Sequence, residues 1–364
     1  MILRADILAQ YKTHKKEINS AIQKVLNSGY YILGKEVEGF EKEFARYLKV
    51  KFGVGVASGT DGLILSLKTL GIGVGDEVIT SVYNTFATSS AIIAAGAIPK
   101  FVDIDYQTFL LDIKKIPLAI TKKTKAIIPI HLFGNVVDIP ALIKILSKQI
   151  PIIEDACQAH GSKISDQFAG SIAQIGVFSF YPTKNLGGYG DGGMVVTDNK
   201  KIEKRLKLLR NYGMIDKDHI IQPGVNSLLD ELQAAILQIK LKYLEYGNQK
   251  RQEIVKQYKA KLRSDLFEFQ LIPKNVYCNF HIFAARFKKN RAKFISYLTE
   301  KKIQTNIYYP LPLHLQKAFQ FLGYKKDDFP IAERLAKEAI ALPIYPQLLK
   351  ENLDYIISTI NFFK

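Results

Sequence analysis

At 364 residues, 48% hydrophobic and 23% charged, the chain suits one large core plus a smaller one and is not a disordered or fibrous protein. Its longest apolar runs, such as 91–98, fall short of the roughly 20 residues that cross a bilayer, and its opening residues lack a secretion signal, so a cytoplasmic protein without membrane contact is expected. The net charge of +17 lies on scattered lysines without zinc-finger spacing, RNP-like aromatics or a helix-turn-helix, so a solvated basic surface is expected and nucleic acid is not an expected partner.

Over 36–47 the spacing predicts a helix, with Val37, Phe40, Phe44 and the following Leu48 on one face. Residues 52–73 read as a short strand, a glycine-containing turn and an apolar helix ending at Gly71. The logic repeats with a strand at Glu77–Ser81 and a helix from about Ala87. Three brief apolar runs at 98–105, 125–134 and 150–156 read as buried strands, the last two separated by a helix over 138–149. Residues 199–213 form an expected helix stopped by Gly213, and 228–262 read as one long helix. A strand at 280–288 and a helix at 290–302 follow. Alternating strands and helices predict an α/β fold, with a mostly parallel, mixed sheet sandwiched by helices in a large domain over 1–243 that includes an N-terminal arm. A smaller α+β domain is expected over 244–364. Cys157 and Cys278 form no CxxC pair and are expected as buried, reduced thiols.

Lys184 differs in setting from the other lysines: it sits in "GVFSFYPTKNLGGYGDGGMVV", a polar, glycine-rich loop between apolar runs. Taken alone it reads as a surface lysine. Gly188 to Gly193 satisfy GxGxxG but lead into a strand, which rules out a Rossmann turn; a glycine turn passing close to a bound group is expected instead. Asp155 closes a buried strand at the end where open α/β sheets place their sites. It could bind a metal, act as a base, pair with a cationic ring nitrogen, or cap a helix; no His/Cys/Asp/Glu cluster at metal spacing accompanies it, and no metal is expected. Ser58, Gly59 and Thr60 stand where a strand turns into a helix, a place that receives phosphate or needs only a cap. Phe86, at another such turn, reads as a core residue or as a stacking partner for an aromatic cofactor.

Together these segments, with "SGTDGLILSLKTLGIGVGDEVI", "IIEDACQAHG", "LRNYG", "GVNSLLDELQAAIL" and "YYPLPLHLQ", resemble the nucleotide-sugar aminotransferases of the DegT/StrS family, within the aspartate-aminotransferase fold group, over nearly the whole chain. The resemblance implies a pyridoxal 5'-phosphate enzyme in which Lys184 forms a Schiff base and Asp155 meets the pyridine nitrogen. It implies further that Gly59, Thr60 and Ser179 hold the phosphate, with Asn226 contributed by the partner subunit of a homodimer. Phe86 then stacks on the ring and Gln158 lies near its hydroxyl. Tyr181, Tyr308, Tyr309 and His314 are the implied substrate-side residues. Because lysine is kept where dehydratase members carry histidine, the implied reaction moves an amino group from glutamate to a keto group of a nucleotide-linked 6-deoxyhexose, for amino-sugar biosynthesis. The form "FYPTKNLGGYGDGG" resembles members that aminate C3. A UDP-linked 3-keto sugar (uronate) or a C4 keto sugar is the alternative substrate; a sugar dehydratase or a regulatory DNA-contacting protein are alternative functions. Leu228 stands where relatives commonly have arginine.

Overall fold

A computed structural model describes residues 1–146 and 149–364. The chain opens with helices α1 (Ile7–Thr13), α2 (Lys15–Ser28) and α3 (Lys35–Leu48). There follow β1 (Phe52–Val56), α4 (Gly59–Thr69), β2 (Glu77–Ser81), α5 (Phe86–Ala94), β3 (Ile98–Val102) and the single turn α6 (Ile116–Ala119). The next elements are β4 (Thr124–Ile128), α7 (Ile139–Ile145), β5 (Ile153–Asp155), a small hairpin of β6 (Lys163–Ile164) and β7 (Gln167–Phe168), then β8 (Ile175–Ser179) and β9 (Gly193–Thr197). Helices α8 (Lys200–Leu209), α9 (Glu231–Leu241) and α10 (Leu244–Lys261) lead to β10 (Phe267–Phe269), β11 (Val276–Tyr277), β12 (Phe283–Phe287) and α11 (Arg291–Glu300). The chain closes with α12 (Pro330–Glu338), β13 (Ala339–Leu342) and α13 (Lys350–Asn361).

Strands β1-β9-β8-β5 and β3-β2-β4 form two ladders. Parallel bridges Ile127↔Ile152 and Ile130↔Asp155 join them into one surface. The β3–β2, β2–β4 and β5–β8 pairs are parallel, whereas β9 runs against both β8 and β1. Strand alternation builds the two faces. Val54, Val56, Val177 and Val195 meet the α4 face through Leu63 and Leu67. Phe178, Met194 and Val196 meet the opposite face through Phe40, Phe44 and Leu237 of α3 and α9. An antiparallel sheet β10-β12-β13 carries a separate core with α10, α11 and α13, including Tyr258, Phe294 and Ile356. The first residues join this second sheet: Ile2 bridges Ile303, and Ile344 N–H donates to Arg4 O.

The α/β expectation and its mixed, mostly parallel sheet hold. Several element boundaries differ. The stretch 228–262 is two helices, broken at Lys242 and Tyr243, because α9 packs on α2 and α3 while α10 turns its apolar side to the second core. Helix α8 ends at Leu209, before Gly213, since Arg210 is drawn to Glu41 and Gly55 O and Asn211 pairs with Asn226. Helix α5 begins at Phe86. Helix α7 ends at Ile145, and part of the expected helix, Ser147 and Lys148, lies outside the described residues. Both cysteines are free, Cys278 buried and Cys157 half-buried. Among the described residues no helix is long and apolar enough to cross a membrane.

Candidate active site

Parallel strands put their carboxyl ends on one side of a sheet, and three of them deliver the candidate residues there. Strand β1 leads into α4 at Ser58–Thr60, β5 ends on Asp155, and β8 ends on Ser179 before the loop that carries Lys184. That loop, 180–192, contains no crossover helix, so the next strand must return antiparallel, as β9 does. Lys184 therefore lies above the sheet and not on its flank. A turn bond from Lys184 N–H to Tyr181 O (2.8 Å) and one from Gly188 N–H to Phe180 O (2.8 Å) shape the loop.

The start of α4 is pressed onto this edge. Ser58 Oγ accepts from Asp61 N–H (3.1 Å) and acts as the N-cap, which leaves the N–H groups of Gly59 and Thr60 without intrahelical acceptors. A Cβ on Gly59 would meet Cys157 Sγ and Ser179 Cβ, each at 2.8 Å, and a Cβ on Gly193 would meet the Ser58 carbonyl at 2.5 Å. At Gly193, absence of a side chain serves contact between backbones. Ser179 Oγ accepts from Tyr181 N–H (3.3 Å) and keeps its own proton to donate.

Asp155 is buried, and its two oxygens differ in occupancy. Oδ2 accepts from the Thr88 hydroxyl (2.6 Å), which in turn accepts from Asn84 Nδ2 (3.0 Å). Because an amide nitrogen only donates, the Thr88 proton points at the carboxylate. Oδ1 accepts from Cys157 N–H (3.2 Å) and retains a lone pair. Burial pushes the Lys184 ammonium below its ordinary value, opposed by Cys157 and Asp155, and no hydrogen bond contributes. Burial pushes the Cys157 thiol well up, and Asp155 adds to this, so it is a packing group rather than a nucleophile.

Gln158 is buried; its Oε1 accepts from Phe133 N–H (2.9 Å) and its Nε2 donates to Tyr309 OH (3.1 Å). Tyr309, at φ +57°, stacks on Phe133. Tyr308 OH accepts from Arg4 Nη1 (2.6 Å). Phe86 is 69% exposed, so its reading as a core residue fails and a free ring face remains. Tyr181 and Asn226 are exposed as well. His314 is buried, with Nε2 on Glu333 Oε1 (3.0 Å) and its ring edge-on to Phe329, and its Nδ1 has no partner among the described residues. Sequence reasoning missed Thr88 and Asn84, whose only signal is polarity inside an apolar segment. Among the described residues no cluster of three or more His, Cys, Asp or Glu could hold a metal.

These features fit pyridoxal phosphate. A helix start with free N–H groups and a hydroxyl suits a phosphate, a buried carboxylate with a spare lone pair suits a protonated ring nitrogen, and a half-buried amine held below its ordinary pKa by desolvation suits covalent attachment.

The model of the DegT/DnrJ/EryC1/StrS aminotransferase family matches residues 12–361. The chain is 42% identical over 349 residues to the dTDP-3-amino-3,6-dideoxy-alpha-D-galactopyranose transaminase of Aneurinibacillus thermoaerophilus, covering 96% of this chain and 95% of that one. It is 40% identical over 362 residues to a pleiotropic regulatory protein of Geobacillus stearothermophilus, covering 98% and 97%. S. venezuelae DesV in complex with a ketimine intermediate superposes with a TM-score of 0.96 at 37% identity, covering 99% and 97%. NtdA from Bacillus subtilis, with bound cofactor PMP, superposes with a TM-score of 0.89 at 32% identity, covering 96% and 81%.

Proposed function

The chain belongs to the DegT/DnrJ/EryC1/StrS aminotransferase family, and from that premise we propose that it moves an amino group from glutamate to the C3 keto group of a dTDP-linked 6-deoxyhexose. It is a pyridoxal-phosphate enzyme. One observation carries the reading: the loop that bears Lys184 leaves the end of β8 beside both the start of α4 and the buried Asp155 that closes β5. The named sugar of the Aneurinibacillus relative supports the substrate class. The regulatory name of the Geobacillus relative describes that protein; here the retained Lys184, Asp155 and Ser179 favour catalysis.

Lys184 would hold the cofactor covalently, Asp155 would hold its ring nitrogen protonated, and Gly59, Thr60 and Ser179, with Asn226 of the partner subunit, would hold its phosphate. Phe86 would cover a ring face, and Gln158 would lie beside the ring hydroxyl. When bound, pyridoxal phosphate supplies an electron sink for the carbon that loses or gains the amine. Lys184 Nζ would take the proton from that carbon and hand it back two bonds away, across the nitrogen. Burial helps by leaving a fraction of the amine neutral. Thr88 would keep the Asp155 carboxylate aimed. Tyr181, Tyr308 and Tyr309 are the substrate-side residues of this reading.

A homodimer belongs to the same proposal. The loop 212–226 projects Tyr212, Ile215, Ile220, Ile221 and Val225 into solvent, and a groove of about 1020 Å³ along α2 and α3 opens beside exposed Tyr30 and Leu33. A second copy would cover this apolar surface. The division into domains 1–243 and 244–364 is supported by the break between α9 and α10 and by the separate core beneath α10. A cytoplasmic location suits an enzyme acting on nucleotide-activated sugars.

The test is Lys184→Ala, incubated with cofactor, glutamate and dTDP-linked 3-keto sugar, with the product read by mass and NMR. No amino sugar is expected. Amination at the wild-type rate by that variant would sink the assignment.

A further inference from the structure

The N-terminal arm brings to this site a guanidinium that the cofactor set leaves unused. Backbone bonds fix it: Ile2 N–H donates to Lys302 O (2.8 Å), Gln304 N–H to Ile2 O (2.9 Å), and Arg4 N–H to Gln304 Oε1 (3.0 Å). From that anchor Arg4 reaches Tyr308, giving Nη1–H to its hydroxyl at 2.6 Å. Among the described residues its Nε and Nη2 have no acceptor, and no carboxylate forms an ion pair with it. The Nε–Nη2 edge is the one that grips a carboxylate through two parallel hydrogen bonds.

A cavity of about 30 Å³ opens beside it, lined among others by Arg4, Thr183, Arg251, His281, Asn306 and Tyr308. A water needs about 10–15 Å³ by this measure, so the space takes roughly two waters, the footprint of the two oxygens of one carboxylate. Thr183, the neighbour of Lys184 in the chain, lines the cavity, so the loop that carries the reacting amine forms part of its wall. No acidic residue lines it. Arg251 is buried and spends Nη1 on the carbonyls of Phe280, His281 and Ile344, so its charge meets no carboxylate. Burial, then the charges of Lys184 and Arg251, with Arg4 contributing, hold His281 well below its ordinary value and therefore neutral. Other arginines are committed, Arg210 to Glu41, Arg263 to Asp265, Arg286 to Glu268, Arg334 to Glu338 and Arg291 to backbone carbonyls, or, like Arg46 and Arg205, stand exposed on helices α3 and α8 away from the cavity. A small positive cavity with a free guanidinium edge calls for an anion of carboxylate size.

We propose that this cavity is the carboxylate subsite for the amino donor, with Arg4 gripping the carboxylate and Tyr308 aiming the guanidinium. The proposal rests on the aminotransferase reading for the identity of the donor. It makes Arg4 a substrate-binding residue and Tyr308 a positioning residue.

The test compares cofactor-loaded wild type with Arg4→Met and Arg4→Lys. Calorimetry measures the binding of glutarate, a dicarboxylate without an amine, and of dTDP. Glutarate is expected to bind the methionine variant about tenfold to a hundredfold more weakly, the loss of a charge-assisted pair. The lysine variant should recover part of this, and dTDP should bind all three alike. In the glutamate reaction KM should rise while kcat changes little. Wild-type glutarate affinity in both variants, or no glutarate binding by the wild type, overturns the subsite. Weakened dTDP with unchanged glutarate also overturns it, assigning the cavity to nucleotide phosphate. Should the methionine variant fail to fold, the lysine variant decides alone, since it keeps the charge and loses the fork. A wild type that grips glutarate through Arg4 yet takes no amine from glutamate supports the subsite and removes the aminotransferase reading instead.

Discussion

Glu154 and Asp155 are neighbours with opposite duties, because successive side chains of a strand face opposite ways. The Glu154 carboxylate accepts from Gly170, Ile172 and Ala173 N–H groups and from His131 Nε2, so it ties down a turn behind the sheet. Asp155, one step on, meets Thr88 and the site. The position of Asp155 was readable, since it closes an apolar run at a strand end; its task came only with the family resemblance. Thr88 was not, because its partner lies 67 positions away and only the fold brings the two together. His160 shows the same limit. It is buried against Phe178 and Phe180, and neither ring nitrogen finds a partner. Burial, with help from Lys184, pushes its pKa down to about 3. The unfolded chain, with a histidine pKa near about 6.5, binds the extra proton throughout the interval between those values. Stability therefore rises with pH across that interval and is lost as pH falls from about 6.5 toward 3. At pH 5 the loss from this residue reaches about 2 kcal/mol. His160→Phe should accordingly lose less thermal stability between pH 7 and pH 5 than the wild type; equal losses in melting scans would refute the assignment.

At the scale of elements, α3 owes its start to another helix. Glu231, at the first turn of α9, accepts from the N–H groups of Gly34, Glu36 and Val37, each at 2.9 Å. A buried carboxylate thus satisfies three orphan donors and the positive end of the α3 dipole at once. Glu231→Gln keeps the shape but turns an N–H donor toward N–H donors. It should cost about 1–3 kcal/mol in urea unfolding. An unchanged midpoint would show that water replaces the carboxylate. Helix α3 was legible within a residue or so because its apolar stripe is regular. Helices α1 and α2 were not read: α1 buries no residue and α2 only Ile18 and Val25. The break between α9 and α10 escaped for another reason, since apolar residues continue through it and only their burial partners change.

For the whole molecule, the sheet's class was legible from alternating runs, but the reversal at β9 was not, because buried parallel and antiparallel strands have the same composition. The exposed apolar side chains of the loop 212–226 carry no periodicity that marks them in the sequence either. In the proposed dimer, Ile220→Asp with Ile221→Asp, at residues 66% and 59% exposed here, should shift the protein toward monomer in light scattering. Cofactor retention should fall with it, since Asn226 belongs to the same loop. A double variant that stays dimeric and keeps its cofactor would place the interface elsewhere.

The arm that carries Arg4 also sets an order of assembly. Arg4 and Tyr308 stand 304 positions apart, so the first of them emerges from the ribosome long before its partner exists. At about 5–20 residues per second that wait lasts roughly a quarter of a minute to a minute. A nascent chain can complete the lobe bearing Lys184 and Asp155 while the arm still hangs free. Chains truncated before Ile303 would lack the residue that Ile2 bridges, so in them the arm that carries Arg4 has nothing to dock on and the proposed donor side stays open.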